Sequence, residues 1–98
     1  MTDMSETELA DSIAEAILAV PGVAGLHPGM FGEVGTYLPG RRVTGVRITD
    51  DGVDVHVTVH EGVDVRRTAV AVRDAVALVA PGSTVDVTVE DIAPAVRP

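Results

Sequence analysis

From Val53 to His60 the chain alternates without a break, Val53-Asp54-Val55-His56-Val57-Thr58-Val59-His60. A period of two sets all four valines on one face and the polar side chains on the other, the pattern of a half-buried strand. Asp51-Gly52 separates this run from Val43–Ile48 and predicts a hairpin turn, since glycine tolerates the positive φ of tight hairpins. Val43 and Val46 are out of phase for a flat strand, so a bulge is expected near Thr44-Gly45. Val85-Asp86-Val87-Thr88-Val89-Glu90 repeats the alternation and predicts a last strand, and Val23–Leu26 suits a short early one.

Two other stretches carry helical spacing. Leu9, Ile13, Ala16, Ile17 and Val20 fall on one face, with Ser5-Glu6-Thr7-Glu8 as a capping box in front and Pro21-Gly22 behind. Asp64 is placed to cap a second helix whose stripe is Ala69, Val72, Val76 and Val79, ending at Pro81-Gly82. The order is therefore α-β-β-β-α-β. Single apolar stripes on the helices and single apolar faces on the strands predict an α+β two-layer sandwich, a small mixed or antiparallel sheet with both helices on one face. Leu9, Ile13, Ile17, Val55, Val57, Val72, Val76, Val87 and Val89 are the expected core. The glycine-punctuated segment from His27 to Gly40 has neither period and reads as a bent connection.

Composition narrows what such a domain can be. Ninety-eight residues make one domain, 1–98, with frayed ends expected at 1–4 and 93–98. With one Phe, one Tyr and no Trp, the core has to be built from aliphatic side chains. The absence of Cys removes disulfides, thiolate nucleophiles and Cys-based zinc sites. The start, Met1 to Glu6, is acidic and lacks the basic and apolar parts of a signal peptide, and no apolar run reaches the length of a membrane span. A cytoplasmic address without direct membrane insertion is expected. Net charge is −8 and all seven basic residues are Arg, which disfavours nucleic acid and anionic lipid as partners of the whole domain.

Few groupings suggest chemistry. His56 and His60 have the spacing of a helical metal pair, but on a strand it separates them by about 13 Å, too far to share one ion. His56 can face an acid on a neighbouring strand, Asp86 or Glu90, so His56, His60 and Asp86 form only a weak alternative ligand face. His27 stands alone before Pro28 and reads as structural. Gly29, Gly32 and Gly35 match neither a dinucleotide fingerprint nor a P-loop. Ser5 and Ser83 lie at a cap and a turn, and Asp50-Asp51 and Glu90-Asp91 are adjacent acids at turns or strand ends. Catalytic, cofactor and metal sites are therefore expected to be absent. Tyr37, Arg41 and Arg42 are the one cationic and aromatic cluster, and they form the candidate partner surface, because an Arg fork suits carboxylates and Tyr and Arg are common interface anchors.

Several stretches together resemble the alkaline-shock protein family, the envelope stress response proteins, in their short actinobacterial form. They are Ile13-Ala14-Glu15-Ala16, Val20-Pro21-Gly22-Val23-Ala24-Gly25-Leu26, Tyr37 to Val46, and Val85 to Ile92. The resemblance spans about residues 9 to 92 and rests on structural motifs. It implies a non-enzymatic cytoplasmic protein of envelope stress or homeostasis, recruited to the inner face of the membrane by a membrane-anchored protein partner. No catalytic residue is carried over. The residues themselves fit an interaction or scaffold module, with a homo-oligomer as one form of it. The alternative is a small-molecule or metal-binding regulatory domain that uses the 27–40 segment and the sheet-face histidines.

Overall fold

The alternating valine run forms the strand with which every other strand of the main sheet pairs. The computed structural model describes residues 5–95. Its elements are α1 (Glu6–Leu18), β1 (Val23–Leu26), β2 (Gly35–Leu38), β3 (Arg41–Thr44), β4 (Val46–Thr49), β5 (Gly52–His60), α2 (Val65–Val79) and β6 (Val85–Ala93). The α+β class stands, with two strands more than the sequence order predicts. One of them, β2, lies in the unreadable glycine segment. The other arises because Val43–Ile48 is divided at Gly45, where the bulge was expected.

β6 pairs in parallel with β5 along nearly its full length, from Val53↔Val85 to His60↔Ala93. The opposite edge of β5 must therefore hold both antiparallel neighbours end to end. β4 covers the first half, from Thr49↔Gly52 to Val46↔Val55, and β1 covers the second, from Leu26↔Val57 to Val23↔Val59. The sheet is mixed, and β2 and β3 form a separate antiparallel pair.

Gly45 stands where β4 ends and β1 takes over. Its N–H donates to the Val34 carbonyl (2.9 Å) and its carbonyl accepts from the His56 N–H (2.9 Å). Its φ is +79°, and a Cβ there would lie 2.9 Å from both the His56 carbonyl oxygen and Leu26 Cβ. Backbone conformation and crowding both require glycine. The β4–β5 hairpin differs from expectation in register. Thr49 pairs with Gly52, so the loop is Asp50-Asp51, and Gly52 is the first residue of β5 with the Thr84 carbonyl packed against it.

Val53, Val55, Val57 and Val59 are buried together with Ala10, Ile13 and Ile17 of α1 and Val72 and Val76 of α2, which sets both helices on one face of the sheet. At about 1.5 to 3 kcal/mol for each fully buried aliphatic side chain, this layer is the main favourable term in folding. Leu9, Val87 and Val89 pack against the core but stay half-buried. Leu9 is in the first turn of its helix, and β6 has a neighbour on one edge only. The caps form as the sequence predicts: the Glu8 N–H donates to Ser5 Oγ (3.1 Å) and the Arg67 N–H to Asp64 Oδ1 (3.0 Å).

Residues 1–4 and 96–98, where frayed ends were expected, lie outside the described residues. The tail does not fray at 93, because Ala93 pairs with His60 and the Ala95 N–H donates to Glu61 Oε2 (2.9 Å).

Candidate interaction surface

The segment from His27 to Thr44 leaves the sheet at the end of β1 and returns at Gly45. Its first half is a turn stitched from within. His27 donates its N–H to the His56 carbonyl (2.9 Å), and its Nδ1 accepts from the Gly29 N–H (3.0 Å). The Gly32 N–H donates to the Gly29 carbonyl (3.1 Å) and the Val34 N–H to the Pro28 carbonyl (2.8 Å). Glu33 Oε2 accepts from the Phe31 N–H (2.9 Å). The Glu33 carboxyl is held below the ordinary glutamate range by its own backbone N–H, with further help from the Phe31 N–H and from His56 and His27 nearby. Met30 and Phe31 are lifted to the tip of this turn, 78% and 88% exposed. Val34, next in the chain, is buried.

The second half is the β2–β3 hairpin. Thr36 turns inward and donates its hydroxyl to the Val46 carbonyl (2.5 Å), which anchors the hairpin on β4. Tyr37 turns outward, 77% exposed. Across the ladder Tyr37 pairs with Arg42, whose guanidinium lies 5.2 Å from the Tyr37 ring centroid. Arg42 also donates to the Gly32 carbonyl through Nη2 (2.6 Å), and its Nε is buried without a partner. Gly35 is its seat, because a Cβ at 35 would overlap the guanidinium. Arg42 thus ties the turn to the hairpin through hydrogen bonding and a cation–π contact.

The expected cationic cluster is therefore arranged differently from a pair of free forks. Arg41 points the other way and makes a bidentate pair with Asp11 of α1, Nη1 to Oδ1 at 2.9 Å and Nη2 to Oδ2 at 2.6 Å. That hydrogen bonding holds the Asp11 carboxyl below its ordinary value and raises the Arg41 guanidinium. Both side chains remain well exposed, so the pair positions the hairpin against α1 more than it stabilises the fold. Alternation along β3 separates the two arginines. The structure brings Tyr37 and Arg42 together and sends Arg41 to the helix.

The weak ligand face is also dispersed. His56 Nδ1 is 2.6 Å from Glu90 Oε1 in a half-buried pair. Glu90 is the extra residue of a bulge in β6, since Val57 pairs with Val89 and Thr58 with Asp91. Asp86 sits opposite Asp54, two positions along β5 from His56, and His60 is exposed at the strand's end. Asp86 instead borders a shallow groove of about 300 Å³ with Arg47, Thr49, Asp51 and Asp54. Among the described residues no three His, Asp or Glu side chains are grouped to hold a metal ion, and no helix is long and apolar enough to cross a membrane.

Met30 and Phe31 are the surface residues that sequence reasoning missed. Their signal was a lone Phe beside a Met, bracketed by Gly29 and Gly32 and outside every periodic stretch. No family model, curated protein or solved structure matches the chain.

Proposed function

We propose that this chain is a non-enzymatic interaction or scaffold module that acts through the exposed face of the 27–44 segment. One observation carries the reading: Phe31 and Tyr37, the only aromatic side chains in the chain, are both on the surface while the core is aliphatic. Aromatic side chains bury the most apolar area per residue, and interfaces are enriched in them. A fold that leaves both outside gains from covering them with a partner. The resemblance to the alkaline-shock family supports a setting in cytoplasmic envelope homeostasis with a membrane-anchored protein as partner. The test is affinity capture after crosslinking in cells, comparing the parent with a Phe31→Ser/Tyr37→Ser variant. A protein recovered with the parent and lost with the variant is the expected result, and identical recovery with both refutes the reading.

The groove bounded by Arg47, Asp54 and Asp86 supports a second reading, a regulatory domain for a small polar ligand. A thermal-shift screen against divalent cations and anionic or amine metabolites distinguishes the two. Binding to the native state alone raises stability with ligand concentration, and Asp86→Asn would remove the effect.

A further inference from the structure

We propose that the Met30-Phe31 turn is a preformed plug for an apolar pocket rimmed by carboxylates on a protein partner; this rests on the interaction-module reading and deepens it. The plug exists before binding. The contacts Gly32 to Gly29, Val34 to Pro28, Gly29 to His27 and Phe31 to Glu33 fix the turn, and Arg42 locks it to the hairpin. Little conformational freedom is then left to lose on docking, which is how preorganised loops gain affinity. Met, Phe and Tyr at the tip and Arg behind it are the types enriched in interface cores.

Charge selects the rim. Residues 27–49 carry Arg41, Arg42 and Arg47 against Glu33 alone, while the rest of the chain has four Arg against fourteen acids. Even with Asp11 counted against Arg41, the arm stays positive on an otherwise acidic body. A partner that places carboxylates around its pocket is attracted by the arm, and one that extends them farther is repelled by the body, which fixes orientation.

Area and charge disfavour the other occupants. Met30, Phe31 and Tyr37 together offer roughly 500 Å², short of the about 800 Å² per partner of a standard interface, and two arms meeting face to face would oppose like charges. An anionic bilayer repels the acidic body, and the Arg41 fork is already taken by Asp11. A few exposed aromatic anchors are sufficient when a pocket closes around them.

The test places a photoreactive phenylalanine analogue at position 31 of the full chain in its own cells, with the same analogue at exposed Ala77 on α2 as control. The expected result is one dominant adduct from position 31, mapping to a peptide of one other protein in which apolar residues are flanked by Asp or Glu. With that protein purified, Phe31→Ser should weaken binding about tenfold or more, and raising NaCl from about 0.05 to 0.5 M should weaken binding of the parent. An adduct on a second copy, on lipid, or on a segment without acids overturns the proposal. Adducts from position 77 but not from 31 overturn the plug and leave the interaction module standing. Adducts from neither position overturn both.

Discussion

Phe31 and Val55 mark the two extremes of what one side chain does here. Val55 is fully buried between the helices and the sheet, and Phe31 touches little but solvent. Val55→Asp places an unpaired charge in the core and should lower unfolding stability by about 3 kcal/mol or more, whereas Phe31→Ser should stay within about 0.5 kcal/mol. Urea unfolding of both variants checks this, and a large loss from Phe31→Ser would mean that the ring is packed. The Asp11–Arg41 pair makes a different residue-scale prediction. Hydrogen bonding to Arg41 lowers the folded-state pKa of Asp11, so its contribution is present above the unfolded-state value and disappears as pH falls through the folded one. NMR titration should find the Asp11 midpoint lower in the parent than in Arg41→Ser. Equal midpoints would mean that the fork is not held in solution.

At the scale of elements, the sequence was most legible where one period runs long enough to be read. β5, β6, α1 and α2 all follow from valine alternation or helical stripes, and Ser5 and Asp64 mark the helix starts because each accepts the predicted backbone N–H. The 27–44 segment was illegible for a physical reason. β2 and β3 have four residues each, too few to show a period, and what shapes the segment is specific: a glycine seat for Arg42, a carboxylate folded back on Phe31, and a threonine hydroxyl on β4. The candidate surface was thus half visible. Composition exposed Tyr37 and the arginines, but nothing in sequence says that Arg41 finds Asp11 thirty residues earlier. Gly45 was readable as a bulge, and the structure adds that two strands meet there. Gly45→Ala forces a left-handed φ on a residue with a Cβ and pushes it against His56 and Leu26, so it should cost about 1 to 3 kcal/mol. Denaturant titration measures this, and a neutral Gly45→Ala would show that the junction can relax.

The whole molecule combines an aliphatic core that needs no large anchors with a charge distribution that opposes its compactness. Fifteen acids against seven arginines give a net charge of −8, and the described fold forms one exposed Arg–Asp pair against that repulsion. Surface pairs of this kind contribute little, so self-repulsion outweighs them and added salt should stabilise the protein. Raising NaCl from about 0.01 to 0.15 M shortens the Debye length from about 30 to 8 Å, which screens charges across most of a domain of radius of gyration 13.3 Å. Each 1 kcal/mol regained corresponds to an increase of roughly 4 to 8 °C in Tm for a domain of this size. Calorimetry at the two salt concentrations should show Tm rising, and rising less in a variant with Asp50→Asn and Asp51→Asn, where adjacent acids share a loop. A Tm that falls with salt would mean that specific attractions, Arg41 with Asp11 first among them, outweigh the net charge.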